Sequence, residues 1–234
     1  ELTPSDQKDV QWFDGCYLPE AGSIVGSSTA GMQGLPCIGG GAPMANLYKV
    51  KTKSGNIRQL TFEQDSDWCP TMLPNGRVLY LRWEYTDLPH YFTRILFHCN
   101  PDGTDQKEFY GSNSYFPNAF FFARPIPGQP TQVVGIVGGH HGITRSGRMM
   151  ILDTARGRHE ADGVVQEIPG YGKPVEPIIR DRLVDGVWPQ LIHPYPLNDK
   201  YFLVSMKRDK DALWGVYLVD MFDNMTLLKE NAAH

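Results

Sequence analysis

Short apolar runs bounded by glycine, proline, asparagine or aspartate recur along the whole chain, and a 3.6-residue apolar period is nearly absent. The pattern predicts strands and turns and no amphipathic helix. Four stretches read as strand, turn, strand: ANLYKVKTKSGNIRQLTF (45–62), RILFHCNPDGTDQKEFY (94–110), RMMILDTARGRHEADGVVQEI (148–168) and WGVYLVDMFDNMTLLKE (214–230). Ser54-Gly55, Asp102-Gly103 and Asp223-Asn224 supply turn dipeptides between strand-forming residues, and Asn75-Gly76 in LPNGRVLYL supplies another. Such pairs accept the positive φ that a tight hairpin needs.

A second recurrence precedes these stretches. An aromatic residue followed by a proline opens DWCPTMLPNGRVLYLRW (67–83), SYFPNAFFFARPIPGQPTQVVGIV (114–137) and GVWPQLIHPYPLNDKYFLVSM (186–206). Taking Pro70, Pro117 and Pro189 as equivalent gives spacings of 117 − 70 = 47 and 189 − 117 = 72 residues. The first is close to the roughly 40–50 residues of a propeller blade. The second suits a blade with an insertion, placed at residues 154–185. The chain is therefore expected to be all-β, a partial or truncated β-propeller of four four-stranded antiparallel blades, at roughly 1–66, 67–113, 114–185 and 186–234. The first set carries an added glycine-rich loop, TAGMQGLPCIGGGAPM (29–44).

Composition narrows the function classes. The 234 residues are 41% hydrophobic and 21% charged, with a net charge of −4 spread without a basic stripe, so nucleic acid is not an expected partner. The 24 glycines and 18 prolines exceed the usual ~7% and ~5% and fit many turns. No apolar run reaches the ~18 residues of a membrane helix. The chain begins at Glu1 without a signal peptide and reads as a processed or excised piece of a longer one. Cys16, Cys37, Cys69 and Cys99 form no CxxC or CxxCH; a Cys16–Cys37 disulfide would brace the glycine-rich loop, and Cys99 reads as a buried strand residue.

The chemistry-bearing candidates are few. GGHHG (138–142) places His140 beside His141, flanked by Gly138, Gly139 and Gly142. Neighbouring side chains on a strand face opposite ways, so one metal binds both only if the glycines turn the chain. Two readings stay open: a blade corner with one histidine solvated, or a ligand or metal contact. Cys69 would complete a soft zinc site with His140 and His141 if it faced them. Trp68, Phe116 and Trp188 read mainly as fillers between blades, with Trp68 also a candidate ligand contact. RWEYTD brings Arg82, Glu84 and Asp87 near a strand end with His90 beyond, either as loop-fixing salt bridges and turn caps or with Glu84 and Asp87 as an acid–base pair, and Arg82 and Glu84 are also candidate ligand contacts. GRHEADG (157–163), with Arg158, His159, Glu160 and Asp162, reads as a solvated loop or a lip over a channel mouth. NPDGTDQ lacks calcium-loop spacing, and no G-x-S-x-G, P-loop or H-E-x-x-H occurs.

These residues carry a resemblance. NLYKVKTKSGNIRQLT followed by SDWCPTMLPNGRVLYL resembles the TolB-type propeller repeat, with its R-x-L-T step and P-[DN]-G-[RK] hairpin. LRWEYTD, FHCNPDGTDQKEFYGSNSYFPN, ARPIPG, GGHHG, SGRMMILD and GRHEADGVVQEIPG, spanning roughly residues 46–206, are similar to the propeller segment of proteins related to the hydrazine synthase alpha subunit. The resemblance implies export to a bacterial periplasm or cell surface. The repeat architecture, the missing catalytic motifs and the truncated context favour a binding or scaffold module for other domains of the same chain, a protein partner or a small ligand. The alternative the resemblance implies is a heme- or metal-dependent oxidoreductase domain acting on small nitrogen compounds. No cofactor motif lies in this chain, so the expected cofactors are zinc at the histidine pair or a heme carried by another domain.

Overall fold

In a computed structural model of the chain, the described residues are 6–84, 94–111, 114–143 and 145–230. They form sixteen strands and one 3₁₀ turn, Pro36–Ile38. The first antiparallel set is β1 (Trp12–Tyr17), β2 (Ser23–Ser28), β3 (Asn46–Lys51) and β4 (Ile57–Gln59). The second is β5 (Asp67–Met72), β6 (Val78–Trp83), β7 (Arg94–Cys99) and β8 (Lys107–Tyr110). The third is β9 (Ala119–Pro125), β10 (Gln132–Gly138), β11 (Arg148–Asp153) and β12 (Val164–Ile168). The fourth is β13 (Gln190–Pro196), β14 (Tyr201–Lys207), β15 (Gly215–Asp220) and β16 (Met225–Glu230). A single parallel bridge, Arg94 to Ala119, links β7 to β9.

Two compact units divide the chain: Glu1–Tyr91 with Leu96–Phe109, and Phe92–Ile95 with Tyr110–His234. The core of the first gathers Val25, Leu47, Leu60, Val78 and Tyr80 around Cys99. Burial pushes the Cys99 thiol up to about 12, as an inert core cysteine requires. The second core stacks Val134, Ile136, Met149 and Ile151 of β10 and β11 with Phe202, Val204 and Met206 of β14 and Tyr217 and Val219 of β15. Strands buried on both faces, such as VLYLRW of β6, read as continuous apolar runs. β14, with one open face, alternates. The outer strand β16 is solvated along most of its length, and Lys229 and Glu230 blunt its edge against pairing with another chain.

The hairpin dipeptides behave as their chemistry dictates: Gly55, Gly76 and Gly103 have φ of +69°, +80° and +86°, and Asp223 has +65°. The aromatic–proline alignment needs correction. Pro70 lies inside β5, whereas Pro117 and Pro189 stand just before β9 and β13. What recurs is a β-bulge in the first strand of each set, with a non-glycine residue at positive φ: Asp14 (55°), Cys69 (54°), Phe122 (54°) and His193 (54°). Their spacings are 69 − 14 = 55, 122 − 69 = 53 and 193 − 122 = 71 residues. A bulge re-aims the side chain it carries. Within the first unit Cys69 N–H donates to Asp14 Oδ2 at 3.2 Å, with Sγ at 3.5 Å from the same oxygen. Within the second, the Phe122 and His193 rings meet edge-on at 4.3 Å.

The predicted insertion at 154–185 also divides differently. Residues 154–163 are only the turn from β11 to β12, and the long connection is 169–189. GRHEADG is a solvated loop, with Arg158, His159, Glu160 and Asp162 exposed, tied through its backbone: Tyr110 OH donates to Glu160 O at 2.6 Å and Gly111 N–H to Arg158 O at 3.0 Å.

Candidate functional site

Residues 169–189 form a strap that runs over the second unit, tied down at several points. Asp223 accepts the N–H groups of Gly170 and Tyr171 at 2.9 and 2.7 Å. Asn118, fully buried, donates through Nδ2 to Ile178 O at 2.9 Å and accepts Arg180 N–H through Oδ1 at 3.1 Å. Gln190 donates to Val184 O and Val187 O, and Ser146 Oγ donates to Gln190 Oε1 at 2.8 Å.

GGHHG supplies the remaining tie. His140 N–H donates to Asp181 O at 2.8 Å, His141 Nδ1 lies 2.7 Å from Asp181 Oδ1, and Ile143 N–H donates to Asp185 Oδ1 at 2.9 Å. The glycines are needed for close approach. A Cβ on Gly139 would sit 2.6 Å from Asp181 O, and one on Gly142, at φ +92°, would sit 2.1 Å from Asp185 Oδ1. The two histidines differ in exposure: His140 is buried, with Arg94 Nη1 donating to its carbonyl at 3.1 Å, and His141 is exposed. Their rings meet edge-on at 4.4 Å.

Burial, with Arg94 and His141 nearby, pulls the His140 pKa down to about 4. The folded ring stays neutral where an unfolded one, near 6.5, takes up a proton. The stability this provides is therefore present above about 6.5 and lost as pH falls toward 4. Urea titrations between pH 4 and 8 should show the second unit weakening on acidification, and His140→Asn should flatten that slope; an unchanged slope would show the proton is taken up elsewhere.

Between its ties the strap is free. Among the described residues, 172–177 make no hydrogen bond to the sheets, only local ones, Lys173 N–H to Gly170 O and Ile178 N–H to Glu176 O. Beneath this span opens a cleft of about 380 Å³, lined by Arg148, Glu167, Tyr171, Lys173, Glu176 and Trp188 with Pro169, Pro174, Pro189 and Leu191. Arg148 Nη1 pairs with Glu167 Oε2 at 3.5 Å, and burial raises the Glu167 carboxyl above its ordinary range against the pull of Arg148. A volume of this size, apolar walls and a few convergent charged groups are what a small-ligand site offers.

The other predicted residues lie in the first unit. Trp68 stacks on Trp83 at 6.3 Å. Arg82 turns inward: Nε lies 3.3 Å from Asp67 Oδ1, and Nη2 is 2.8 Å from Tyr80 OH, 2.6 Å from Gln106 Oε1 and 3.0 Å from Glu63 Oε1. Glu84 stands 4.0 Å from Arg82 Nη1. Asp87, His90 and the Cys37 side chain lie outside the described residues. Among the described residues no group of three or more His, Cys, Asp or Glu is placed to hold a metal ion. The cleft was missed in the sequence because its walls come from separated segments, 148, 167–178 and 187–191. The only local signal was the long proline- and glycine-bearing connection itself.

Neither a protein-family profile nor a curated protein sequence matches the chain. Solved structures do. Hydrazine synthase of Kuenenia stuttgartiensis superposes with a TM-score of 0.61 at 16% identity, over 92% of this chain and 28% of that one. Oligogalacturonate lyase of Vibrio parahaemolyticus gives 0.54 at 14% identity, over 99% of this chain and 56% of that one. TolB of Acinetobacter baumannii gives 0.53 at 8% identity, over 93% and 44%. The fold is a TolB-like β-propeller. At these identities the likeness fixes the fold alone, and the chain spans between about a quarter and just over half the length of these relatives. Among the described residues no helix is long and apolar enough to cross a membrane.

Proposed function

We propose that this chain is the binding domain of an exported, hydrazine synthase alpha-like protein, and that it holds a small ligand in the strapped cleft of its second unit. The observation that carries this reading is the cleft itself: a half-buried Arg148–Glu167 pair beside Trp188, covered by a span fastened only at its two ends. Loops held on a rigid sheet are where binding concentrates. The charged pair orients the ligand, Trp188 supplies contact area, and residues 172–177 fold over it. Partner domains of the longer protein would receive or deliver that ligand at the strap.

A small-molecule library screened by ligand-observed NMR against the whole chain tests this. Hits should protect residues 172–177 from hydrogen exchange, and Glu167→Gln should weaken them at least tenfold. A screen without hits, or hits indifferent to Glu167→Gln, would overturn the reading.

A further inference from the structure

Resting on that reading of the cleft, we infer that its ligand is a neutral saccharide of disaccharide size. The walls are charged but balanced: Arg148 and Lys173 stand against Glu167 and Glu176. An ion of either sign would gain from one pair and be repelled by the other, so the cleft offers no net field to a charged ligand. What it offers is many directed hydrogen bonds. The Arg148 guanidinium is a planar set of donors, and the two carboxylates are planar sets of acceptors. Adjacent hydroxyls on a sugar ring both donate and accept, and they match such planar groups two bonds at a time, with charge assistance on one side.

The second half of the argument is aromatic. Trp188, half-buried, and Tyr171, 73% exposed, both line the cleft. One face of a pyranose is a plate of weakly positive C–H groups, complementary to the negative face of an aromatic ring. A flat apolar plate beside paired charged planes suits a molecule with one apolar face and a hydroxylated edge. A zwitterion would need its two charges at one fixed separation, and a purely apolar ligand would strand four charged side chains.

The test uses the whole chain, with tryptophan fluorescence and calorimetry. The probes are a panel of neutral disaccharides including maltose and cellobiose, with digalacturonate and glycylglycine as charged comparisons. Starch and insoluble cellulose, in a sedimentation assay, distinguish a free sugar from a polysaccharide as its source. At least one neutral disaccharide or its polymer should bind, and Tyr171→Ala and Trp188→Ala should each weaken it tenfold or more. Tyr171 is exposed, so its variant remains informative if Trp188→Ala fails to fold. Binding of digalacturonate or glycylglycine without any neutral sugar would overturn the saccharide assignment and leave the cleft reading standing. Neutral-sugar binding unaffected by Tyr171→Ala would also overturn it. No binding of any probe, together with an empty library screen, would overturn both.

Discussion

Replacing Arg82 with methionine should cost the first unit about 3–5 kcal/mol above pH 7, where Asp67 is ionised, because it removes one partner of a buried ion pair and leaves the other without its countercharge. Arg82 is the hub of this unit's polar interior. Its guanidinium serves Asp67, Glu63, Tyr80 and Gln106 and lies 4.3 Å from the centre of the Phe97 ring. Asp67 is wholly buried, and burial pushes its carboxyl up to about 7 despite the pull of Arg82. The folded state therefore holds a proton on Asp67 that the unfolded chain has released above about 4. The sign follows: this contribution to stability is full below about 4 and is lost as pH rises through 7. Asp67→Asn should remove that slope. In Arg82→Met the loss of the countercharge raises the carboxyl further and moves the slope to higher pH. The Asp67→Asn/Arg82→Met double variant should cost less than the sum of the two singles, since the unpaired group is gone. Urea unfolding followed by circular dichroism at pH 5 and 8 measures all three; additive costs and parallel pH profiles would show that the pair does not act as a unit.

The dependence on Asp67 runs opposite to that on His140: the first falls with rising pH and the second with falling pH. The two can thus be separated in one chain by variant, with no need to isolate either unit.

Strands and turns were legible in the sequence because their signals are local. VLYL of β6 and MMIL of β11 are apolar runs and became central strands, and Asn75-Gly76 and Asp102-Gly103 became hairpins. The true repeating position was hidden. The bulge residue is Asp14 in one set and Cys69, Phe122 and His193 in the others, four side chains with nothing in common. Only tertiary packing places Phe122 at positive φ, which its own propensity disfavours. The prolines offered a visible period, and it was the wrong one for β9 and β13. GGHHG stood out in the sequence, with a corner and a ligand or metal contact both open, but its bonds run to Asp181 and Asp185, some forty residues on, and no pattern within the motif names them. Arg82 stood out as a charged residue near a strand end. That it points inward depends on Asp67 and Gln106, which pairing rather than sequence brings beside it.

Asn118→Ala should cost the second unit about 2–4 kcal/mol, mainly through the buried backbone groups it leaves unsatisfied. Asn118 is fully buried and holds φ +63°, a conformation that asparagine tolerates better than alanine. Its amide imitates a strand: one donor to Ile178 O and one acceptor for Arg180 N–H. Cutting the amide strands both groups of the strap at once. Asn118→Gly separates the two causes, since glycine accepts the same φ without strain but makes neither bond. If the bonds dominate, the two variants should lose similar stability, and in both the strap should exchange its amides faster from 178 to 181, while the Val187 amide, bonded to Val184 O in a turn whose carbonyls Gln190 holds, keeps its rate. If the backbone conformation dominates, glycine should restore most of the loss. The consequence for binding follows from the same tie. The free span at 172–177 is set over the cleft by Asp223 on one side and Asn118 on the other. Loosening only the second should raise the dissociation rate of a cleft ligand more than it lowers the association rate, because a closed strap retains what an open one admits. Stopped-flow fluorescence with a bound disaccharide would show this directly; a change confined to association would mean the strap does not close over the ligand.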